Sequence, residues 1–447
     1  MLNDHQINNL FWKSEENFQN NDPHLSQLKD LPMVHPMDWW KKIDFNSSGI
    51  CILTGGRQIG KSTSLKLMIR HVLSKKLFTP SQIFYLTCDM IFDPQHLMRT
   101  IKSFLDLSLD ENKPFLLLLD EVTFVPSWDR VVKALADEGI FRRGLCVLTG
   151  SDTVILKQAS SSFPGRRGKS DIVDFHVRPL SFAEHVRLVA PDTFSAPEKN
   201  LDALFVLFDQ YLLCGGFLRA MNDLSQQGKV TEATFQTFEQ WLRGDFLKRG
   251  KSEEYLLSVL KTLSEVGVTQ NSYSGLTQRA GNMSKETFID YCWLLQRMDV
   301  LFTIEAFDQN TLRGFPKKAM KFHFWDPFIA RVIRRWLVRE RMVNAEINEG
   351  NMVESSVASN CYHRFPTYYI KAEGEVDAVI VEESKFYPIE VKWTEQLRSI
   401  DLKQIKKYKN SFIVAKSHEE GFIENVKVIP LPLFLLTFGF DPKNQKG

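Results

Sequence analysis

The chain has 447 residues, and its 56 Lys and Arg residues nearly balance its 54 Asp and Glu residues, for a net charge of +2. This balance excludes a protein whose whole surface is basic and a strongly acidic disordered chain. A nucleic-acid-binding surface would therefore have to come from local clustering of basic residues. At about 150 residues per domain, the length predicts three domains.

The sequence shows no signal for a membrane or for secretion. No stretch reaches the ~18 apolar residues that span a bilayer, and acidic Asp4, Glu15 and Glu16 stand where a secretion signal would be basic and then apolar. We therefore expect a soluble, cytoplasmic protein without a membrane partner. The cysteines form no CxxC pair or zinc spacing, which predicts reduced and mostly buried thiols. They are Cys51, Cys88, Cys146, Cys214, Cys292 and Cys361.

A glycine-rich segment after an apolar run carries the first chemical signal. The run Ile50 to Leu53 precedes GGRQIGKS, and a helical pattern follows. In a P-loop, glycines turn the backbone so that amide groups converge on phosphates, and the helix adds its positive dipole end. Lys61 would reach the outer phosphates and Ser62 would ligate Mg²⁺, so we expect ATP as cofactor; a chance glycine-rich turn is the alternative. The expected nucleotide-binding residues are Gly55, Gly56, Arg57, Gln58, Ile59, Gly60, Lys61, Ser62 and Thr63.

A second apolar run ends in two carboxylates. Residues Phe115 to Leu119 lead directly into Asp120 and Glu121, which predicts a buried parallel strand that ends in acidic residues. Asp120 would orient a water molecule bound to Mg²⁺, and Glu121 would act as the general base on the attacking water. An acidic start to the next helix is the alternative.

Alternation of strands and helices predicts a parallel α/β sheet, with strands at 50–53, 83–87, 115–119, 145–149 and 172–177. Ser151 follows the fourth strand and is a candidate contact to the γ-phosphate. Arg166 and Arg167 lie in the loop FPGRRG, where they would stabilise phosphate charge or form a solvated basic loop. An arginine acting on a neighbouring copy would require a homo-oligomer; the candidates are Arg142, Arg143, Arg166 and Arg167.

The middle of the chain is helical and then follows winged-helix order. Helical patterns at 201–213 and 231–247 predict a lid-like subdomain. Over 253–306 the sequence then predicts a helix, a short helix, a helix and a strand, in that order. Such domains bind DNA or serve as protein contacts, so DNA is the expected partner and a protein contact the alternative. A basic segment follows; it predicts either phosphate contacts or a solvated helix face. Its candidate nucleic-acid contacts are Arg331, Arg334 and Arg335.

The last hundred residues carry the second chemical signal, which has the spacing of a PD-(D/E)xK site. Asp377 is expected to end one strand, and Glu390 and Lys392 to share one face of the next, because strand side chains alternate with period two. With Glu354 from a helix, the carboxylates would hold Mg²⁺ or Mn²⁺, while Lys392 would stabilise the developing charge.

Two residues downstream of this site form a QxxxY pattern. Gln404 and Tyr408 are expected on one face of a helix at i and i+4, where both would reach a phosphate or the lysine of the site. We therefore expect these two side chains to position a nucleic-acid strand.

Taken together, these motifs resemble the archaeal and bacterial AAA-superfamily ATPases that carry a C-terminal restriction-endonuclease-like domain. The resemblance covers roughly residues 48 to 435 and rests on LTGGRQIGKST, LLLLDEV, LTGSD, FPGRRG, RPLSFAEH, EVDAVI and IEVK. It implies an α/β multidomain protein with an AAA-like P-loop parallel sheet, a helical lid, a winged helix and a nuclease-like α/β domain. The expected boundaries are 1–45 for an N-terminal extension, 46–190 for the ATPase core, 191–250 for the lid, 251–343 for the winged helix and basic connector, and 344–447 for the nuclease-like domain.

Two functions are compatible with this organisation. The leading hypothesis is an ATP-dependent DNA-processing enzyme that couples ATP hydrolysis to DNA binding and Mg²⁺-dependent phosphodiester cleavage. The alternative is an ATP-driven switch or regulator whose nuclease-like domain binds nucleic acid or a partner protein without cutting.

Overall fold

The computed structural model describes residues 2–108, 113–150, 156, 163, 173–394, 396–397 and 402–438. The chain divides into two compact units, Met1–Arg178 and Pro179–Gly447.

The first unit is built on a five-stranded parallel sheet in the order β2-β3-β4-β1-β5. Its first four strands are buried almost throughout, because apolar residues face both sides of a sheet that helices cover on both faces. The predicted parallel α/β sheet is thus confirmed, with boundaries shifted by one or two residues. The strands are β1 (Gly49–Gly55), β2 (Ile83–Thr87), β3 (Phe115–Asp120), β4 (Gly144–Thr149) and β5 (Asp174–Val177).

The N-terminal segment packs as part of this first unit. Phe11, Phe18 and Trp40 belong to the same buried cluster as Leu65 and Met68 of the helix that follows β1. The indole of Trp39 donates a 3.1 Å hydrogen bond to Ser64 Oγ of that helix. Trp39 and Trp40 therefore pack into the core of the first unit. The α-helices of this unit are Glu15–Asn21, Pro23–Leu28, Lys61–Ser74, Pro94–Ser108 and Trp128–Asp137.

The second unit begins with helices and continues into a small antiparallel sheet of order β6-β10-β7. Three of the helices predicted from the sequence occur at the expected positions in the order helix, short helix, helix. The α-helices up to this sheet are Phe182–Val189, Pro191–Ser195, Leu201–Cys214, Leu218–Gln227, Glu232–Lys248, Glu253–Val266, Tyr273–Ala280 and Lys285–Arg297. The strands are β6 (Gln270–Asn271), β7 (Leu301–Ile304), the pair β8 (Phe307–Asp308) and β9 (Arg313–Gly314), and β10 (Met320–Phe324).

A mixed six-stranded sheet, in the order β11-β12-β13-β14-β16-β15, completes the second unit. The strands β11, β12 and β13 are antiparallel, whereas β13, β14 and β16 run parallel. Apolar residues of the sheet pack against the helix Glu349–Tyr362 through Val353 and Val357. The strands are β11 (Thr367–Lys371), β12 (Glu375–Glu382), β13 (Lys385–Lys392), β14 (Phe412–Ala415), β15 (Gly421–Ile423) and β16 (Val426–Pro430), and the helices are Pro327–Arg339, Glu349–Tyr362 and Leu431–Thr437.

All six cysteines are buried and free of disulfides, as the sequence predicted. In the part of the chain that the structure describes, no single helix meets the length and composition of a membrane span. One pair of helices, Leu201–Cys214 and Leu218–Gln227, meets both together but is bent by 116°.

Candidate functional site

The loop between β1 and the next helix has the backbone conformation of a tight phosphate-binding turn. Gly55 adopts φ +154°, and a Cβ added there would lie 2.4 Å from the carbonyl oxygen of Val177 on β5. Gly60 adopts φ +94° as the N-cap of the helix Lys61–Ser74. Only glycine accepts both the close approach and the left-handed backbone without strain. The two glycines predicted to shape the loop therefore lie where the backbone requires them.

Lys61 folds back over this loop. Its side chain is 6% exposed, and Nζ donates 2.8 Å hydrogen bonds to the carbonyl oxygens of Gly55 and Gly56. The lysine ammonium is therefore held inside the curve of the loop, beside the N-terminus of the helix. Ser62 and Thr63 follow in the first turn of that helix, and Thr63 Oγ1 lies 3.2 Å from His24 Nδ1. This arrangement fits a nucleoside triphosphate whose outer phosphates meet Lys61.

Asp120 ends β3 and is 3% exposed. Its Oδ2 accepts a 2.6 Å hydrogen bond from the hydroxyl of Tyr85 on β2, while its buried Oδ1 has no hydrogen-bond partner among the described residues. A buried carboxylate oxygen without a protein donor is well suited to a water molecule of a hydrated Mg²⁺ ion. Glu121 follows in a left-handed conformation, with φ 54°. The donor set therefore fits Mg²⁺, with Ser62 and Asp120 as the residues that would hold it.

Two residues of this site were missed by the sequence analysis. Tyr85 provides the only hydroxyl donor to Asp120 among the described residues, and desolvation, followed by the charge of Asp120, raises the pKa of its phenol well above the ordinary value. Thr149 ends β4 in register with Leu53 of β1, and its fully buried Oγ1 lacks a partner among the described residues. A polar residue at the end of an apolar strand was the signal available for Thr149. Tyr85 lies in the middle of β2, and only the pairing of β2 with β3 brings it to Asp120.

The N-terminal segment adds a buried ion pair next to this site. Lys66 Nζ lies 3.0 Å from Asp22 Oδ2, and the two side chains are 2% and 0% exposed. The ammonium also donates to the carbonyl oxygen of Asn8 and lies 3.7 Å from the ring centre of Tyr85. Burial lowers the pKa of Lys66, although the charge of Asp22 opposes that shift.

Five residues were predicted to contact phosphate or to act on a neighbouring copy. Ser151, Arg166 and Arg167 lie outside the described residues. Arg142 is exposed at the end of a short turn before β4, and the guanidinium of Arg143 lies 5.9 Å from the ring centre of Phe115. The proposal of an arginine acting on a neighbouring copy stays a prediction.

In the second unit, the hairpin of β12 and β13 brings together the Asp, Glu and Lys predicted from their spacing. Asp377 is the third residue of β12 and does not end a strand, so that detail of the prediction was wrong. Because the two strands are antiparallel, the start of β12 lies beside the end of β13, where Glu390 and Lys392 project. Asp377 Oδ2 accepts a 2.8 Å hydrogen bond from Val391 N, and Lys392 Nζ lies 2.9 Å from Glu390 Oε1.

Two further acidic residues complete what we call the carboxylate cluster, defined as Glu354, Glu375, Asp377 and Glu390. Oxygens of Glu354, Glu375 and Asp377 lie within 4.8 Å of one another, a spacing that could hold a metal ion. Glu354 comes from the helix Glu349–Tyr362, as expected, whereas Glu375 was not predicted as a ligand. Glu390 is 6% exposed, and its Oε2 has no hydrogen-bond partner among the described residues.

A lysine that the sequence analysis did not connect with this site lies inside the cluster. Lys321 on β10 is 1% exposed, and its Nζ lies 2.7 Å from Glu354 Oε1, 3.5 Å from Asp377 Oδ1 and in an ion pair with Glu375. Burial disfavours the ammonium, but the three carboxylates outweigh burial and raise the pKa of Lys321. Burial and then the charge of Asp377 raise the pKa values of Glu354 and Glu390.

Gln404 and Tyr408 meet, but not on an α-helix. They flank the 3₁₀ turn Ile405–Lys407, Tyr408 is already extended, and the predicted helical face was therefore wrong. The side chains still contact each other, because Gln404 Nε2 donates a 2.9 Å hydrogen bond to Tyr408 Oη. Gln404 Oε1 also accepts from Gly374 N at 3.3 Å, next to the first residue of β12. The pair therefore supports the loop that enters the carboxylate cluster.

The three arginines predicted to contact nucleic acid make contacts within their own unit. Arg331 Nε donates to the carbonyl oxygen of Leu212, and Arg334 donates to Asn344 and to the carbonyl oxygen of Glu346. Arg335 pairs with Glu232. These contacts account for part of the donor capacity of each guanidinium, and a role in nucleic-acid binding stays a prediction.

Comparison with protein families divides the chain into three matched regions. Residues 47–186 match the model of an AAA domain. The chain carries a P-loop ATPase domain of the AAA superfamily. Residues 206–338 match a domain of unknown function, DUF8612, and residues 349–434 match another, DUF4143.

Individual proteins resemble the chain over most of its length at low identity. An uncharacterized protein of Haemophilus influenzae is 24% identical over 412 residues, which cover 89% of this chain and 96% of that protein. Among solved structures, a Walker-type ATPase of Pyrococcus abyssi is 13% identical with a TM-score of 0.43, covering 72% of this chain and 97% of that one. The Aeropyrum pernix ORC2 protein is 12% identical with a TM-score of 0.37, covering 70% and 96%. At these values, neither structural likeness carries information about activity or partners.

Proposed function

We propose that the chain is an ATP-dependent DNA-processing enzyme in which the AAA domain hydrolyses ATP and the C-terminal module acts on DNA. The observation that supports the first half is that one parallel sheet carries both the Lys61 loop after β1 and a buried Asp120 at the end of β3. The Oδ1 atom of Asp120 lacks a hydrogen-bond partner among the described residues. Lys61 would neutralise the outer phosphates, and Glu121 would accept the proton of the attacking water.

The observation that carries the second half is the convergence of Asp377, Glu390 and Lys392 at one end of a hairpin, with Glu354 facing them from a helix. Two or three carboxylates form an oxygen-ligand set that can hold Mg²⁺ or Mn²⁺ beside a phosphodiester. A bound divalent ion would polarise the phosphate and lower the pKa of a water molecule. Lys392 would stabilise charge on the phosphate, and Glu390 would keep the ammonium of Lys392 oriented.

Cleavage is tested by incubating plasmid, linear and branched DNA with the protein and Mg²⁺ or Mn²⁺, with and without ATP. We expect cleavage products from the wild-type protein and none from Asp377→Asn, which keeps the size of the side chain and removes its charge. ATP turnover by Asp377→Asn should equal that of the wild type. Equal cleavage by the wild type and Asp377→Asn would contradict the nuclease half of the proposal.

A second candidate function is an ATP-driven switch whose C-terminal module binds nucleic acid or a partner protein without cutting. The observation that favours it is Lys321, which already neutralises part of the carboxylate cluster with a cation of the protein itself. Retarded DNA bands without products would support this candidate. Binding should then weaken steeply with salt, because phosphate contacts release counterions.

A further inference from the structure

Lys321 reaches the carboxylate cluster from a different sheet. It lies on β10 of the three-stranded sheet, whereas Glu375 and Asp377 lie on β12 of the six-stranded sheet and Glu354 lies on a helix. Its Nζ points at oxygens of all three residues and also lies 3.5 Å from the carbonyl oxygen of Asp377. The ammonium thus occupies the point on which the oxygens converge.

The oxygen cage around this ammonium resembles the environment of a hard cation. Three carboxylates from two elements, the helix Glu349–Tyr362 and β12, place oxygens within 4.8 Å of one another. A single lysine does not require so many acidic partners. A lysine ammonium is a compact point charge with three donors, so it is a reasonable internal substitute for a small cation. A divalent ion prefers the same oxygen ligands.

A second, independent feature indicates that the cluster has capacity for more positive charge. Glu390 is 6% exposed, yet its Oε2 lacks a hydrogen-bond partner among the described residues. The cluster contains four carboxylates against the two ammonium groups of Lys321 and Lys392, so carboxylates exceed cations by two. Glu390 is buried and the other three side chains are partly buried, and negative charge without a matching cation is disfavoured in such surroundings.

We propose that the Lys321 ammonium and a divalent metal ion compete for the site formed by Glu354, Glu375 and Asp377. Lys321 acts as a resident cation that keeps the site closed to metal, and a metal ion enters only when this side chain swings out. The two cations exclude each other because both require the same oxygens and repel each other at such short range. The inference rests on the proposed metal-dependent role of the C-terminal module and adds its regulation.

The competition is tested by Mn²⁺ binding to the purified full-length chain, measured by calorimetry and by the loss of the free Mn²⁺ signal in electron paramagnetic resonance. Neither nucleotide nor DNA is present. Lys321→Met removes the charge and keeps the length of the side chain. We expect this variant to bind one Mn²⁺ at least tenfold more tightly than the wild type. Adding Glu354→Gln to Lys321→Met should abolish the gain, because it removes one of the three ligands.

The matched control is Lys385→Met, which removes an exposed lysine at the start of β13 of the same module. Its Mn²⁺ affinity should equal that of the wild type. If Lys321→Met is folded and binds Mn²⁺ no more tightly than Lys385→Met, the competition is excluded. Wild-type protein that already binds Mn²⁺ as tightly as Lys321→Met excludes it equally.

Loss of Lys321 is expected to lower the stability of the unit, because three partly buried carboxylates would then repel one another. A second variant, Lys321→Gln, removes the same charge, can still donate hydrogen bonds to the carboxylates, and keeps Glu354, Glu375 and Asp377 as ligands. We expect its melting temperature to rise on addition of Mn²⁺, and no rise would overturn the proposal. Because metal binding is read without DNA, absence of cleavage would count against the proposed function and leave this result unaffected.

Discussion

The hydroxyl of Tyr85 donates a 2.6 Å hydrogen bond to Oδ2 of Asp120, across the neighbouring strands β2 and β3. The register pairs Thr87 with Asp120, so Tyr85 sits two residues earlier on β2 and its ring extends along the sheet toward the carboxylate. The bond uses one oxygen of Asp120 and leaves Oδ1 available. Tyr85 is therefore a positioning residue for the carboxylate that would orient the hydrated Mg²⁺ ion.

Replacing Tyr85 with Phe should raise the Mg²⁺ concentration needed for half-maximal ATP turnover by about tenfold, because partners that orient metal-binding carboxylates typically contribute 10- to 100-fold. The measurement is a Mg²⁺ titration of steady-state phosphate release. Tyr387→Phe, on β13 of the second unit, is the control and should leave the titration unchanged. A purely structural role for Tyr85 would lower the melting temperature without moving the Mg²⁺ midpoint.

Lys61→Ala should reduce ATP turnover by about 100-fold or more, because the ammonium is the group that would stabilise charge on the outer phosphates. Phosphate release measures the effect. The control is Lys75→Ala, an exposed lysine at the C-terminal end of the same helix, which should retain full turnover. Turnover by Lys61→Ala close to that of the wild type would refute the assignment of the nucleotide site.

Glu121→Gln should separate nucleotide binding from hydrolysis. The amide keeps the shape of the side chain but cannot accept a proton, so turnover should fall by about 100-fold or more while ATP affinity stays near the wild-type value. Fluorescent nucleotide titration and phosphate release provide the two readouts. If affinity and turnover fall together, Glu121 contributes to binding and is not the general base.

The ion pair between Asp22 and Lys66 should make a large contribution to the stability of the first unit. Asp22→Asn keeps an N-cap for the helix Pro23–Leu28 but leaves the buried ammonium of Lys66 unpaired, at a cost of about 3 to 5 kcal/mol. Urea unfolding measures the loss. The double variant Asp22→Asn with Lys66→Met should recover most of it, and a double variant no more stable than Asp22→Asn would argue against the ion pair as the cause.

The stability of the second unit should fall in acid because of His185. Burial lowers the pKa of His185 to about 4, and its ring packs against Phe182 and Tyr211. In the unfolded chain His185 gains a proton below pH 6.5, whereas the folded unit stays neutral at this position until about pH 4. Stability from this group is therefore fully present above pH 6.5 and is lost progressively between pH 6.5 and 4, to a total of about 3 kcal/mol.

His185→Phe should flatten this acid-dependent loss, because phenylalanine fills similar space without a titrating nitrogen. Urea unfolding between pH 4 and 7 provides the comparison. Between pH 7 and pH 4, we expect the free energy of unfolding to fall by more in the wild type than in His185→Phe. Parallel pH profiles for the two proteins would show that His185 does not cause the acid sensitivity.

Local patterns predicted the elements of both units well where a motif and its strand are contiguous. The run that ends in Asp120 is buried throughout, and the helix beginning at Lys61 follows the glycine loop directly. Less was predictable where geometry depended on non-local pairing. Asp377 proved to lie near the start of β12, because the antiparallel partner β13 determines where the strand begins to pair.

The same limit applies to Gln404 and Tyr408. Their spacing of four residues predicted a helical face, yet the chain forms only a 3₁₀ turn there. The two side chains are nevertheless in contact, because a hydrogen bond joins them directly across this turn. Spacing thus identified the pair correctly but not the backbone that presents it.

The sequence by itself determined the phosphate-binding loop, the acidic strand end and the D…ExK hairpin, because each consists of residues that lie close together in the sequence at a characteristic spacing. Only the tertiary structure decided that Lys321 lies among Glu354, Glu375 and Asp377, and that Tyr85 and the N-terminal Asp22 support the ATPase site. Lys321, for example, is 33 positions from Glu354 and 56 positions from Asp377 in the sequence. No local periodicity predicts contacts over such separations. They arise when separate sheets and helices pack together and buried charges must find partners.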